Sequence, residues 1–250
     1  CIIMNTENSI IFDEPLIEGI IQKRKSLYTM DVDIERTIFS CHCPTTGRIG
    51  NIDINGRPCL LSKSINPKRK TQFTVEAISL CRPEDSKKKW IGINQNAANR
   101  YVEHYLVNGG FSEMITTDSP VQREKFLGVS KLDFLIDNTY IEVKTPLQHL
   151  QLDIPEYIET KKVTPFSSTD RFVKHITELA NSLQDRERAI LLTCFIYNNP
   201  GFEVIEKSTN YKQVKMAVNK STQMGVETWQ ANFEITRIGV SLQKYFKLSL

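Results

Sequence analysis

The run Lys131-Leu132-Asp133-Phe134-Leu135-Ile136-Asp137-Asn138-Thr139-Tyr140-Ile141-Glu142-Val143-Lys144 reads as two alternating strands around an Asp137-Asn138 turn. With those two residues at the centre, Asp133 lies opposite Glu142 and Lys131 opposite Lys144. Period-2 geometry gathers two carboxylates and two ammonium groups on one face, with Leu132, Phe134, Ile141 and Val143 on the other. Carboxylates at cross-strand distance repel unless a positive charge lies between them. Mg²⁺ or Mn²⁺ held by Asp133 and Glu142 would supply that charge, with waters completing its shell. Lys144, two residues beyond Glu142, is placed to orient or deprotonate an attacking water. Glu124 offers a third carboxylate from a preceding helix or turn. The same side chains also suit a solvated ladder with diagonal Lys–Asp and Lys–Glu pairs.

The elements around this hairpin set its context. Residues 20–93 are expected to form a small β-rich unit, with strands at Thr37–Cys43, Asn51–Ile54, Arg57–Leu61, Gln72–Leu80 and Trp90–Ile93. Asn55-Gly56 is a two-residue hairpin signal between the second and third of these. After Asn94 the pattern changes to helices alternating with strands. Helices are expected at Asn99–Val107, stopped by Asn108-Gly109-Gly110, at Thr169–Gln184 and around Asn210–Met224. Ala189–Tyr197 reads as a buried central strand and Trp229–Thr236 as the last major one. This order favours a small barrel or sandwich followed by an α/β domain with a central sheet.

Charge is divided unevenly between the two parts. The chain has 250 residues and a formal net charge of only +3. Residues 1–95 hold 14 basic and 11 acidic side chains, against 18 of each in residues 96–250. The excess therefore sits on the β-rich part, which suits a polyanionic partner. An apolar fraction of 40% supports a real core and excludes a disordered regulator. No stretch approaches the roughly 20 apolar residues of a membrane span, and the N-terminus lacks the features of a secretory signal. Six scattered cysteines suggest reduced thiols and a cytoplasmic location. A chain that starts at Cys1 rather than Met is expected to be a fragment or a trimmed form. Cys41 and Cys43 flank His42, but structural zinc needs four ligands with a second close pair, so packing as small hydrophobes is the simpler expectation. No phosphate-loop, dinucleotide-binding or nucleophile-elbow motif occurs.

Several ordered motifs together resemble the sugar fermentation stimulation protein family. They are His42-Cys43-Pro44-Thr45-Thr46-Gly47-Arg48, Asn66-Pro67-Lys68-Arg69-Lys70-Thr71, Trp90-Ile91-Gly92-Ile93-Asn94, Asn99-Arg100, Arg123-Glu124, Val129–Phe134 and Tyr140–Lys144. The resemblance covers roughly residues 20–245. It implies an N-terminal OB-like nucleic-acid-binding barrel (20–95) and a restriction-endonuclease-like PD-(D/E)xK domain with a central mixed sheet (96–250). It places Glu124, Asp133, Glu142 and Lys144 on the nuclease-like motif. Arg48, Lys68, Arg69 and Lys70 on the barrel, and Arg171, Lys174 and His175 on the polar side of the second helix, become candidate contacts to nucleic acid, DNA foremost. Phe73 and Trp90 are candidate base-stacking residues or core residues. The chain departs from the family at Thr45, where Asn is usual, at Lys131, where Arg is usual, and in residues 164–172. A metal-dependent phosphodiesterase leads these expectations. A non-catalytic DNA-binding regulator of sugar metabolism genes and a small-molecule or protein-binding module are the alternatives.

Overall fold

The computed structural model describes residues 8–116, 118–127, 130–162, 170–184, 187–202 and 211–249. The first part comprises β1 (Ile10–Ile11), β2 (Ile17–Arg24), β3 (Thr29–Ile34), β4 (Thr37–His42), β5 (Pro58–Lys63), β6 (Phe73–Ile78) and β7 (Ile91–Gly92). Strands β2 to β6 run in the order β4-β3-β2-β5-β6, and β6 returns to β4 through the parallel pair Thr74–His42. This is a five-stranded, OB-type barrel. Strand β3 shows how it fills: Met30, Val32 and Ile34 are buried while Thr29, Asp31 and Asp33 are only half-buried. Cys41, Cys43 and Cys59 pack into the same core as small hydrophobes. Burial pushes the Cys41 thiol up to about 11. Phe73 packs edge-to-face on Phe39, and Trp90 packs against the neighbouring core, so both aromatics serve packing.

One expected hairpin is replaced by a contact between domains. Asn55-Gly56 does turn, with Gly56 at a φ of +78°. Asn51–Ile54, however, forms no strand beside β5. Ile52 makes a single antiparallel bridge to Thr160 of the second domain. Strand β5 instead lies between β2 and β6. A local turn signal cannot reveal that a distant loop competes for the same backbone groups.

The second part comprises α1 (Gln95–Val107), β8 (Val121–Leu127), β9 (Ser130–Ile136), β10 (Thr139–Lys144), α2 (Asp170–Ser182), β11 (Arg188–Phe195), α3 (Tyr211–Gln223), β12 (Glu227–Ile235) and β13 (Gly239–Lys247). Its sheet runs β1-β13-β12-β11-β10-β9-β8, with β10, β11 and β12 mutually parallel and the other neighbours antiparallel. Helix α1 covers one face through Tyr101, Val102, Tyr105 and Leu106, and α2 and α3 cover the other through Ile176, Leu179, Val214 and Val218. Strand β11 is buried on both faces, as its near-continuous apolar run requires. The sequence reading places no strand at β1, β2, β3, β8 or β13. Strand β13 follows the expected last strand, and β1 reaches back from before the barrel to pair with it.

The two parts share cores, and α1 joins them. It begins at Gln95, four residues before its expected start, because the Asn94 side chain caps it by accepting the Ala97 N–H at 3.0 Å. The same Asn94 donates to the buried Glu76 of β6, whose other oxygen accepts from Ser62. Gly92 abuts Ile196 so closely that a Cβ there would lie 2.2 Å from its Cγ2. A barrel strand, a helix cap and the second sheet are thereby fixed to one another.

Candidate metal centre

Strand β9 changes character at Asp133. The ladder with β10 pairs Ile136–Thr139, Leu135–Tyr140 and Phe134–Ile141, in the expected register, and ends there. In place of the next rung, Asp133 Oδ2 accepts the Val143 N–H at 2.8 Å. On the other side, β8 pairs Arg123–Phe134 and Lys125–Leu132 but leaves out the rung between them, where Glu124 adopts a φ of +54°. Positive φ is uncommon for a residue other than glycine. The break also reverses one side chain. Phe134, Ile141 and Val143 enter the α1-side core, as expected, whereas Leu132 enters the α2/α3 side beside Leu135 and Tyr140.

Released from both ladders, Asp133 meets Glu142. Its Oδ1 accepts from Asn99 Nδ2 on α1 at 2.9 Å. Burial and the Glu142 charge push the Asp133 carboxyl up to about 6, against the opposing pull of the Val143 N–H and Lys144. Glu142 is 2% exposed. Its Oε1 receives Lys144 Nζ at 2.6 Å and lies 2.5 Å from His175 Nδ1. Its Oε2 is buried with no hydrogen-bond partner among the described residues. Lys144 Nζ also lies 3.1 Å from His175 Nδ1. A ring nitrogen carries either a proton or a lone pair, so His175 Nδ1 either donates to Glu142 or accepts from Lys144. The shorter contact favours donation to the carboxylate. A buried, unpartnered carboxylate oxygen beside a second carboxylate is the donor set a hard divalent cation takes, so these residues fit such a metal.

The remaining candidates scatter. Glu124 sits on edge strand β8, not on a helix or turn, and its exposed carboxylate pairs with Lys131 at 3.3 Å. Lys131 in turn pairs with Phe126 in the β8–β9 ladder and does not face Lys144. His175 is 6% exposed, on the packed face of α2 and inside the cluster, which corrects its assignment to the helix's polar side. A cluster contact outranks helical periodicity for a residue whose polar atoms are satisfied internally. Lys174 is exposed on the next position. Lys68, Arg69 and Lys70 are exposed on the loop between β5 and β6, and Arg48 is half-buried after the Pro44–Gly47 loop. The Arg171 side chain and residues 163–169 lie outside the described residues.

Two residues of α1 were not foreseen as part of the site. Gln95 and Asn99 are four apart, on one stripe of the helix. Asn99 holds Asp133, while Gln95 donates to the carbonyl of Thr145, next to Lys144, at 2.7 Å and accepts from Thr45 Oγ1 at 2.9 Å. Thr45, a departure from the usual Asn, thus ties the barrel loop to the end of β10. The Asn99-Arg100 pair was visible as a motif, but only the fold shows which of its members faces a carboxylate.

Residues 23–93 match the SfsA N-terminal OB domain and residues 96–239 the sugar fermentation stimulation protein RE domain. The sugar fermentation stimulation protein homolog of Microcystis aeruginosa is 31% identical over 238 residues, covering 90% of this chain and 91% of that one. The homolog of Maricaulis maris is 29% identical over 246 residues, covering 96% and 98%. Among solved structures, that of Pyrococcus furiosus SfsA in complex with Ca²⁺ superimposes with a TM-score of 0.76 at 19% identity, covering 97% of this chain and 99% of that one.

Proposed function

Because the chain belongs to the sugar fermentation stimulation protein family, we propose that it binds nucleic acid, DNA foremost, and hydrolyses phosphodiester bonds with a divalent cation. The observation that carries this reading is Glu142, whose Oε2 is buried without a partner among the described residues, beside Asp133 and Lys144. Asp133 and Glu142 would hold Mg²⁺ or Mn²⁺, and the similar structure solved in complex with Ca²⁺ accords with a hard, oxygen-seeking ion. Such an ion, when bound, supplies a Lewis acid that offsets charge on the phosphate oxygens.

The protein's own groups would do the rest. Asn99 and the Val143 N–H each take one oxygen of Asp133, which fixes the plane of its carboxylate. Lys144, held by Glu142, aligns the attacking water and sets positive charge beside the scissile phosphate. His175 holds Glu142 and can pass a proton at Nδ1. Glu124, one rung from Asp133 but engaged with Lys131, would reach the site only by leaving that pair. This engagement is what favours the second reading, a DNA-binding regulator that keeps the nuclease fold without turnover.

Labelled single- and double-stranded DNA and RNA, incubated with Mg²⁺ or Mn²⁺, should be cut by the parent and left whole by D133A/E142A. Cutting that persists in the double variant would show that another site does the chemistry. Retention without cutting under either metal would establish the regulator instead.

A further inference from the structure

A second cluster of charge lies at the seam between barrel and nuclease-like domain. Lys23 and Arg24 of β2, Arg48 and Lys161 line a recess of about 260 Å³ with Ile49, Ile52 and Ile54 at its apolar wall. Among the described residues Asp53 is the one carboxylate in that lining, and it accepts the Asn55 N–H at 3.0 Å. Lys23 and Lys161 are exposed. Arg24 has another duty. Its guanidinium donates to the carbonyls of Thr45 and Gly47 at 2.6 and 2.7 Å, and to those of Ser26 and Leu27. Carbonyls hold the group without cancelling its charge, so Arg24 remains a fixed cation behind the recess. Four positive groups against one negative leave a site for an anion.

Its place in the fold says which anion. Lys161 comes from the nuclease-like part and the others from the barrel. The seam is closed by backbone bonds from Lys161 N–H to Asn51, from Asp53 N–H to Glu159 and from Gly50 N–H to Leu147. Leu147 is three residues beyond Lys144, so at most roughly 11 Å of chain separates the two. Through Gly50 the recess adjoins the segment of chain that follows β10 and its Lys144.

We propose that Lys23 and Lys161, backed by Arg24 and Arg48, form a phosphate subsite that grips the nucleic-acid strand beside the cleavage site. The subsite rests on the nucleic-acid reading above and makes it specific. It exists only with the two domains docked, and it gives the barrel a defined part in positioning substrate. The exposed Lys68-Arg69-Lys70 loop, with cations from one segment only, contributes less.

Binding of a fluorescein-labelled oligothymidylate to the full chain, followed by anisotropy from roughly 50 to 200 mM salt, tests this. K23A/K161A, whose thermal melt should coincide with the parent's because both lysines are exposed, is expected to raise Kd about tenfold. It should also reduce the slope of log K against log salt by about 1.4, since each phosphate of a single strand that is no longer neutralised lowers it by about 0.7. K68A/R69A/K70A removes three charges rather than two and should nevertheless cost less. A parent that binds alongside an indifferent K23A/K161A, or a larger loss in the loop variant, overturns the subsite alone. A parent that binds neither oligonucleotide nor duplex at any salt removes the nucleic-acid reading and the subsite with it.

Discussion

Two glutamates, Glu76 and Glu142, are both nearly excluded from water, and they end differently. Glu76 of the barrel has each carboxylate oxygen engaged, one by Ser62 and one by the Asn94 that caps α1. Glu142 concentrates Lys144 and His175 on one oxygen and leaves the other without a partner among the described residues. A buried charge that is fully hydrogen-bonded fixes the scaffold; one left short of partners is costly unless a further group completes it. The contrast sets a structural carboxylate apart from the one proposed to take a cation, although burial alone ranks them together.

Breaking each carboxylate should therefore fail in different assays. The largest effect is expected from E142Q, which should lower cleavage on the order of 10³-fold while leaving the melting temperature near the parent's or above it. An E142Q protein that still cuts with Mg²⁺ would erase the distinction. E76A should do the reverse. Loss of the carboxylate strands Asn94 and Ser62 and loosens the barrel from α1, at about 2–3 kcal/mol in a urea melt. Residual Mn²⁺ binding by the folded fraction should persist.

A smaller loss is expected from N99A, which frees Asp133 Oδ1 without touching a carboxylate. Removing such an orienting partner costs about 10–100-fold in metal affinity, measured by Mn²⁺ titration calorimetry. Asp133 gives the subtlest test. A carboxyl raised to about 6 contributes stability that is complete below its usual 3.8 and gone once pH has risen through about 6. D133N should accordingly stabilise the metal-free protein at pH 7 by about 1–2 kcal/mol, with the two melts converging below pH 4. In the parent, Mn²⁺ affinity should fall as pH drops below about 6, because the proton must leave before the metal binds.

Much of this site could be read from alternation alone. The Asp137-Asn138 turn sets the 131–144 register, and the three observed rungs follow it. That register already puts Asp133 near Glu142 and Lys144. It fails one step further on, because Asp133 abandons both ladders and Leu132 changes face with it. Periodicity assumes an unbroken strand, and a side chain that captures a backbone N–H breaks it. His175 was misplaced for a related reason. Helical spacing marks polar residues as outward-facing, whereas this one finds its polar partners inside. The 51–54 strand failed because a loop more than a hundred residues away claimed its backbone.

Local order was thus decided by the sequence itself: short alternating strands in the first part, an α/β half with two amphipathic helices against a buried β11, and a carboxylate pair on one hairpin. These depend on neighbours in the chain, whose spacing is written in the order of residues. Only the tertiary structure decided that Asn99 holds Asp133, that His175 joins Glu142, and that Lys161 lines one recess with Lys23 and Arg48. Those contacts join residues tens to more than a hundred positions apart. They depend on how the cores pack, which no local pattern of hydropathy or charge specifies.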